Sequence, residues 1–407
     1  MDAITKPKAA LAGVRVLDLS RVLAGPWATQ ILGAFGAEII KIEKPGAGDD
    51  TRAWGPPFLK KTGGGHGDAA YYLAANRNKR SLAIDFAKPE GSELVRRLAP
   101  HCQILVENFK TGGLAKYGLD YARIAAINPS LIYCSITGFG QTGPYAKRPG
   151  YDYIIQGMGG LMSLTGEPGG EPMKSAVAVA DLFTGMYAVT GILAALRHAE
   201  RTGEGQHIDA SLLDAQVAML ANLGANYLIS NEEPRRQGNQ HASIAPYQVL
   251  PTADGHIILA VGNDDQFQAF CAAAGLALAA DARFATNEAR VVHRGALTEA
   301  LAVVMRARTT NDWIALLERA QVPCGPINKL DQVYADPQVI ARGMVETLTR
   351  SDGSEVKLTA NPLRMSATPP RTRLPPPLIG QDTEAVLKEL LGVGDEEISR
   401  WRAAGVL

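Results

Sequence analysis

Asp181 is the only charged residue between Ser175 and Leu196, a stretch that reads SAVAVADLFTGMYAVTGILAAL. A carboxylate is expensive to bury among apolar side chains unless something compensates it. Two readings fit. Standing before a long apolar helix, it is an N-cap that accepts backbone N–H bonds. As a working group, it is a carboxylate aimed at an acyl carbon, and the same N–H groups would hold it ionised and stabilise negative charge nearby. Asp152, in RPGYDYIIQG, reads as a turn or cap residue, and Tyr151 beside it as a core or rim aromatic. Arg21, Lys44, Arg52, Lys116 and Arg148 all fall in or near loops that follow predicted strands. Each alone is a solvated surface charge. Together they would line an anionic pocket at the carboxyl ends of the strands, where open α/β sheets bind ligands.

Other chemistries find less support. The four cysteines (Cys102, Cys134, Cys271, Cys324) form no C-x-x-C pair, and the seven histidines show no H-x-x-x-H spacing. No metal site is expected, and free thiols suit a reducing cytoplasm. G-x-G-x-x-G occurs once, at Gly138, Gly140 and Gly143, but Pro144 and Pro149 prevent the regular helix a dinucleotide site needs. A glycine-rich turn is the better reading, so neither a nicotinamide nor a flavin is expected. GGGHG (63–67) would cradle phosphate or, more simply, form a surface loop. Lys+Arg and Asp+Glu balance at 41 each, so no net field invites nucleic acid or an anionic membrane. The N-terminus MDAITKPKAALAG lacks the apolar core of a secretory signal. The 175–196 stretch, with its Asp, Thr and Gly residues, reads as protein core rather than a membrane span.

The elements that must position these residues follow from patterning. VRVLDLS (14–20), AEIIKIE (37–43), SLAIDF (81–86), CQILVENF (102–109) and LIYCSITGFG (131–140) read as buried strands. PWATQILGAFG (26–36) and PEGSELVRRLAP (89–100) read as helices between them. This alternation predicts a parallel, doubly wound sheet. Long apolar helices are expected over about 182–199 and 211–227. After Asn231 the pattern changes to a compact α+β section. A hairpin turns at Asp254-Gly255, helices follow near 264–274, 296–307 and 311–321, and VPCGPIN (322–328) reads as an exit linker. Short strands between 343 and 365, a proline-rich extended segment (364–380) and a helical tail complete the chain.

Taken in order, GVRVLDLSRVLAGPWATQILGAFGAEIIKIEKPGAGDDTR, NRNKRSLAIDF, VENFKTGGLAKYGLDY, ADLFTGMYAVTGILAAL, GEGQHIDASLLDA and PPPLIGQDTEAVL resemble the class III CoA-transferases, which include formyl-CoA and carnitine CoA-transferases. The resemblance covers nearly the whole chain. It implies a nucleophilic role for Asp181, reaction through an aspartyl mixed anhydride and an aspartyl-CoA thioester, and a place for Asp152 near the reacting centre. It also implies that Arg21 lies near the thioester, that Tyr151 belongs with Arg21 and Asp152 to the substrate site, and that Lys44, Asn108, Phe109 and Lys116 surround coenzyme A, which enters as acyl-CoA substrate. Formyl-CoA transferases have His and Gln where this chain has Arg21 and Leu23. That directs away from small oxalate-type acids, and Arg21 is expected to clamp the far carboxylate of a larger one. A succinyl-CoA donor and a dicarboxylate acceptor such as glutarate are expected. The glycine-rich lid of formyl-CoA transferase appears as QGNQHASIAPY (237–247), with one glycine, and another basic family position falls on Pro149, beside Arg148. The sister α-methylacyl-CoA racemases have a His where this chain has Tyr151. With an ordinary pKa of ~10, Tyr is a poor partner for α-proton exchange. The implied fold is a Rossmann-like open parallel sheet with a smaller α+β domain, in an interlocked cytoplasmic homodimer. Its expected parts are 1–205 (large domain), 206–228 (connecting helix), 229–328 (small domain) and 329–407 (return to the large domain).

Overall fold

The computed structural model describes residues 9–61 and 64–407. The first eight residues and Gly63, where the GGGHG stretch begins, lie outside the described residues. Chain order runs β1 (Arg15–Asp18), β2 (Glu38–Glu43), a hairpin of β3 (Phe58–Lys60) and β4 (His66–Ala69), then β5 (Lys79–Ala83), β6 (Ile104–Glu107), β7 (Ile132–Thr137) and β8 (Gln206–Ser211). Gly64 and Gly65, both at positive φ, form the hairpin's turn. The other six strands make one sheet in the order β5-β2-β1-β6-β7-β8, every pair parallel. Growth from β1 runs outward through β2 to β5, then returns to the other side of β1 at β6. The gap between β1 and β6 is therefore a topological switch point, the place where open sheets hold ligands.

The central strands are rich in Val, Ile and Leu because both faces are covered. Val16, Ile39, Ile104, Ile132 and Cys134 point to one face, packed by Ala28 and Leu32 of α1 (Ala24–Ala34). Leu17, Ile40, Leu82, Leu105 and Tyr133 point to the other. After α2 (Ala70–Ala74), α3 (Pro89–Leu98) covers that second face with Leu94, Val95 and Leu98. α4 (Tyr121–Ile127), α5 (Asp152–Met158) and the single turn α6 (Leu161–Leu164) lead to α7 (Val179–Thr202). α7 is long and apolar enough to cross a membrane. However, Ala188, Val189, Ile192 and Ala195 bury one stripe of it with α1 and the strands, where a fully buried Val or Ile side chain contributes roughly 1.5–3 kcal/mol. Gly203 ends it in a left-handed conformation, donating to the Ala199 carbonyl. GQHIDAS, expected to lead into a connecting helix, is instead the sixth strand. The expected 211–227 helix divides into α8 (Leu212–Met219) and α9 (Ala221–Ser230).

Residues 162–173 and 232–339 form a second compact unit. Its sheet is antiparallel, in the order β11-β10-β9, made of β9 (Tyr247–Pro251), β10 (His256–Ala260) and β11 (Cys324–Pro326). β9 and β10 are the expected hairpin; β11 lies inside the segment expected to be a linker. α10 (Asp264–Ala274), α11 (Asn287–Val292), α12 (Arg294–Met305) and α13 (Thr310–Arg319) bring Phe267, Phe270, Leu301 and Trp313 into one core. α14 (Leu330–Ala335) and α15 (Pro337–Ala341) follow. The chain then returns to the first unit (residues 1–161, 174–231 and 340–407) through the antiparallel hairpin of β12 (Val345–Thr349) and β13 (Glu355–Thr359). The proline-rich segment has no regular element, yet it is anchored. Asn78 accepts from the Arg373 N–H and donates its own N–H to the Leu374 carbonyl, while Arg52 and Arg350 donate to the Pro377 carbonyl. α16 (Thr383–Leu391) and α17 (Asp395–Ala403) close the second face with Val386, Leu387 and Trp401.

Candidate active site

At the end of β1 the chain turns through Ser20-Arg21-Val22-Leu23 into α1, over a floor of buried charge. Asp18 accepts from Lys79 Nζ (3.0 Å) and Thr29 Oγ1 (2.7 Å), and Lys41 Nζ donates to the Ser20 carbonyl (2.8 Å) and to Asp49 (3.0 Å). Burial would raise the Asp18 carboxyl, but Lys79 and Lys41 outweigh it and hold it below its usual range. Val22 has φ +70°, a costly conformation for a β-branched residue. Its N–H donates to Asp49 (3.3 Å), and one residue earlier Arg21 exchanges two hydrogen bonds with Asn108, N–H to Oδ1 (2.8 Å) and Nδ2 to carbonyl (2.6 Å). These bonds tie the end of β1 to the end of β6 across the switch point. Glu107, buried beneath, takes the Phe109 N–H (2.7 Å), and burial pushes its carboxyl up to about 7.

Two cavities open here. The first, about 430 Å³, is lined by Arg21, Asn108, Phe109, Lys116, Tyr151 and Asp181. The second, about 410 Å³, holds Lys44 with Lys41, Asp49 and Phe86, and shares Arg21, Phe86 and Phe109 with the first. The Arg21 guanidinium pairs with Asp50 (2.9 Å) and sits 5.0 Å above the Phe109 ring. The ammonium of Lys116 lies 4.7 Å from the Tyr117 ring. Arg148, expected among the cations of an anionic pocket, also lines the first cavity, together with Lys110, which was not singled out.

Asp181 is not the N-cap that its position before a helix predicts. α7 begins at Val179, which puts Asp181 in the first turn, where its own N–H is among the unpaired donors. Asp152 takes that role from α5, accepting from the Ala180 N–H (2.8 Å) and the Asp181 N–H (3.3 Å). The Asp181 carboxylate accepts no hydrogen bond among the described residues. Its burial, and then the Asp152 charge, push it up to about 7. The expectation that backbone N–H groups keep it ionised is therefore replaced, because those donors are committed to Asp152. Asp152 does not line the cavity but stands behind the nucleophile candidate.

Sequence reasoning passed over Tyr71. It sits on α2 against Trp54, with ring centroids 5.4 Å apart, and its phenol is pushed up to about 12 by burial, then by Asp181, Asp152 and Asp49. α2 is too short to leave a periodic signal, so the only hint was a tyrosine pair. Among the described residues no group of three or more His, Cys, Asp or Glu side chains is placed to hold a metal ion.

Residues 11–383 match the sequence profile of CoA-transferase family III. The chain is 54% identical over 391 residues to a succinate–glutarate CoA-transferase of Agrobacterium fabrum, covering 96% of this chain and 98% of that one. It is 43% identical over 398 residues to the human succinyl-CoA:glutarate CoA-transferase, covering 98% and 90%. A crystal structure of a CAIB/BAIF family protein from Brucella suis superimposes with a TM-score of 0.83 at 50% identity, over 93% of this chain and 99% of that one. With a parallel sheet whose switch point opens on a lone carboxylate and a cluster of cations, the chain belongs to CoA-transferase family III and is a CoA-transferase.

Proposed function

We propose that the protein moves coenzyme A from succinyl-CoA to glutarate, with Asp181 as nucleophile. The observation that carries this reading is the unpaired Asp181 carboxylate facing a cavity rich in cations. The names of the relatives at 54% and 43% identity supply the acid pair. In this reading the nucleotide end of the acyl-CoA lies in the second cavity at Lys44. The pantetheine arm passes Phe109 and Asn108, and the thioester reaches Asp181. An Asp181 oxygen attacks the thioester carbonyl, the C–S bond breaks, and a mixed anhydride forms with release of the CoA thiolate. The thiolate attacks the aspartyl carbonyl, giving an aspartyl-CoA thioester and free succinate. A glutarate carboxylate attacks that thioester, the thiolate leaves again, and its attack on the glutaryl carbonyl yields glutaryl-CoA and regenerates the Asp181 carboxylate. Covalent catalysis divides one exchange into steps that are each easier.

Racemisation of a 2-methylacyl-CoA is disfavoured. Its second acid/base would have to be Tyr151, which is 61% exposed and sits where the racemases have His. The free thiols of Cys102, Cys134, Cys271 and Cys324 suit a cytoplasmic setting. We also infer an interlocked homodimer, supported by the apolar outer stripe Phe183, Met186 and Tyr187 of α7. The deciding experiment offers succinyl-CoA with a mixture of mono- and dicarboxylic acids and follows CoA thioesters by mass spectrometry. Glutaryl-CoA should form, and its formation should be lost in Asp181→Ala. No new thioester with any acid, alongside Cα–deuterium exchange on a 2-methylacyl-CoA, would reverse the reading.

A further inference from the structure

We propose that Arg148, rather than Arg21, is the specificity-determining residue that binds the far carboxylate of the dicarboxylic acid. The inference rests on the dicarboxylate reading above and deepens it. Arg21 was the natural candidate from its place at the end of β1, but the fold gives its charge away: it pairs with Asp50 at 2.9 Å and leans on Phe109, between the two cavities. A substrate carboxylate would have to share Arg21 with the Asp50 carboxylate, whose charge opposes it. Arg148 lines the same cavity as Asp181 and has no carboxylate partner among the described residues. Its guanidinium lies 4.5 Å from the Tyr145 ring centroid and 5.4 Å from that of Phe139. Packing against rings leaves the edge donors of a guanidinium free and limits its rotation, which favours two parallel bonds to a carboxylate.

The backbone fixes Arg148 relative to the nucleophile by a short path. Gly150 lies against Gly138 so closely that a Cβ on either would come within 2.6 Å of the other's backbone. Two residues beyond Gly150, Asp152 holds the N-terminus of the helix that carries Asp181. One clamped segment therefore sets both the cap of the nucleophile's helix and the position of the guanidinium. Lys110 and Lys116, the other uncompensated cations of the cavity, come from the segment after β6 that Asn108 and Phe109 open. They stand where the coenzyme A arm passes Phe109 and Asn108 in the proposed binding mode.

The test is a competition. Succinyl-CoA is offered with equal glutarate and pentanoate, and the ratio of glutaryl-CoA to pentanoyl-CoA is measured. Both products draw on the same CoA-charged enzyme, so the ratio reports the acceptor step alone, whatever a variant does to the donor step. Losing one charge-assisted pair should lower the ratio in Arg148→Gln by roughly 10- to 100-fold. Arg148→Lys should recover part of it, and Arg21→Gln should leave it near the wild-type value. A ratio retained in Arg148→Gln, or one that falls as far in Arg21→Gln, overturns the assignment. A wild-type protein with no preference for glutarate overturns the dicarboxylate reading itself, and the assignment with it.

Discussion

Asp181 sits in the first turn of α7 with no donor to its carboxylate among the described residues; burial pushes it up to about 7 and Asp152 adds a smaller push. As the proposed nucleophile, Asp181 must be ionised, so kcat/KM should rise between pH 6 and 8 with an apparent pKa near 7. Asp152→Asn keeps an acceptor for the Ala180 N–H but removes the charge. The profile should then move to lower pH by only part of the shift, since burial is the larger cause. A flat profile over this range would contradict the assignment. Stability follows the same linkage. The native carboxyl holds its proton more tightly than the unfolded one, so stability falls as pH rises from the ordinary range near 3.8 through about 7. Asp181→Asn should therefore abolish transfer yet raise stability at pH 8 by on the order of 1–2 kcal/mol, allowing for partial exposure. Thermal melts of both proteins at pH 5 and pH 8 check this, and the gain should shrink at the lower pH.

Between the elements, position depends on close approach of backbones. Gly138 follows β7, and a Cβ there would meet Gly150 Cα at 2.6 Å and its N at 2.9 Å. Gly138→Ala should move the 148–152 segment, weaken the Asp152 cap and cost about 1–3 kcal/mol. Its activity loss should exceed what the fraction folded explains, as circular dichroism and kinetics on one preparation would reveal. This dependence explains what was legible in the sequence. The strands at 15–18, 38–43, 104–107 and 132–137 were legible because short runs rich in Ile, Val and Leu alternate with helical segments, the pattern of a parallel sheet covered on both faces. The start of α7 does not, because Ala178 offers no capping side chain and the cap arrives from Asp152 on another element. β8 was hidden because QHIDAS is half polar at the sheet's edge. Asp181 was legible as a lone carboxylate in an apolar stretch, and Asn108, Phe109 and Lys116 only through the resemblance to a family; the structure brings all four to one cavity. That Arg21 is paired with Asp50, and that Arg148 is not paired, depends on loop geometry that no spacing encodes.

For the whole molecule, α7 poses the remaining problem. Only 44% of its most apolar window is buried, and Phe183, Met186 and Tyr187 face outward near the exposed Tyr153, Ile154 and Met158 of α5. In a chain whose 41 basic and 41 acidic residues balance, so much apolar surface favours association. A second copy is the simplest cover, and in the proposed linked-ring arrangement each chain threads the other. That topology has a consequence that an ordinary side-by-side dimer lacks. Linked rings cannot separate by dilution, because separation requires unfolding one chain far enough to release the other. Two preparations carrying tags of different mass, mixed at equal concentration and followed by native mass spectrometry, should keep only the two parental dimers for days. After unfolding and joint refolding, hybrid dimers should appear at the statistical share. Hybrids forming under native conditions would point to a separable interface instead, and a single-chain mass at micromolar concentration would leave the apolar stripe needing another partner. The outcome also bears on the site. If the chains are linked, loss of the pair and loss of transfer cannot be uncoupled by dilution, so activity per chain should stay constant down to nanomolar protein.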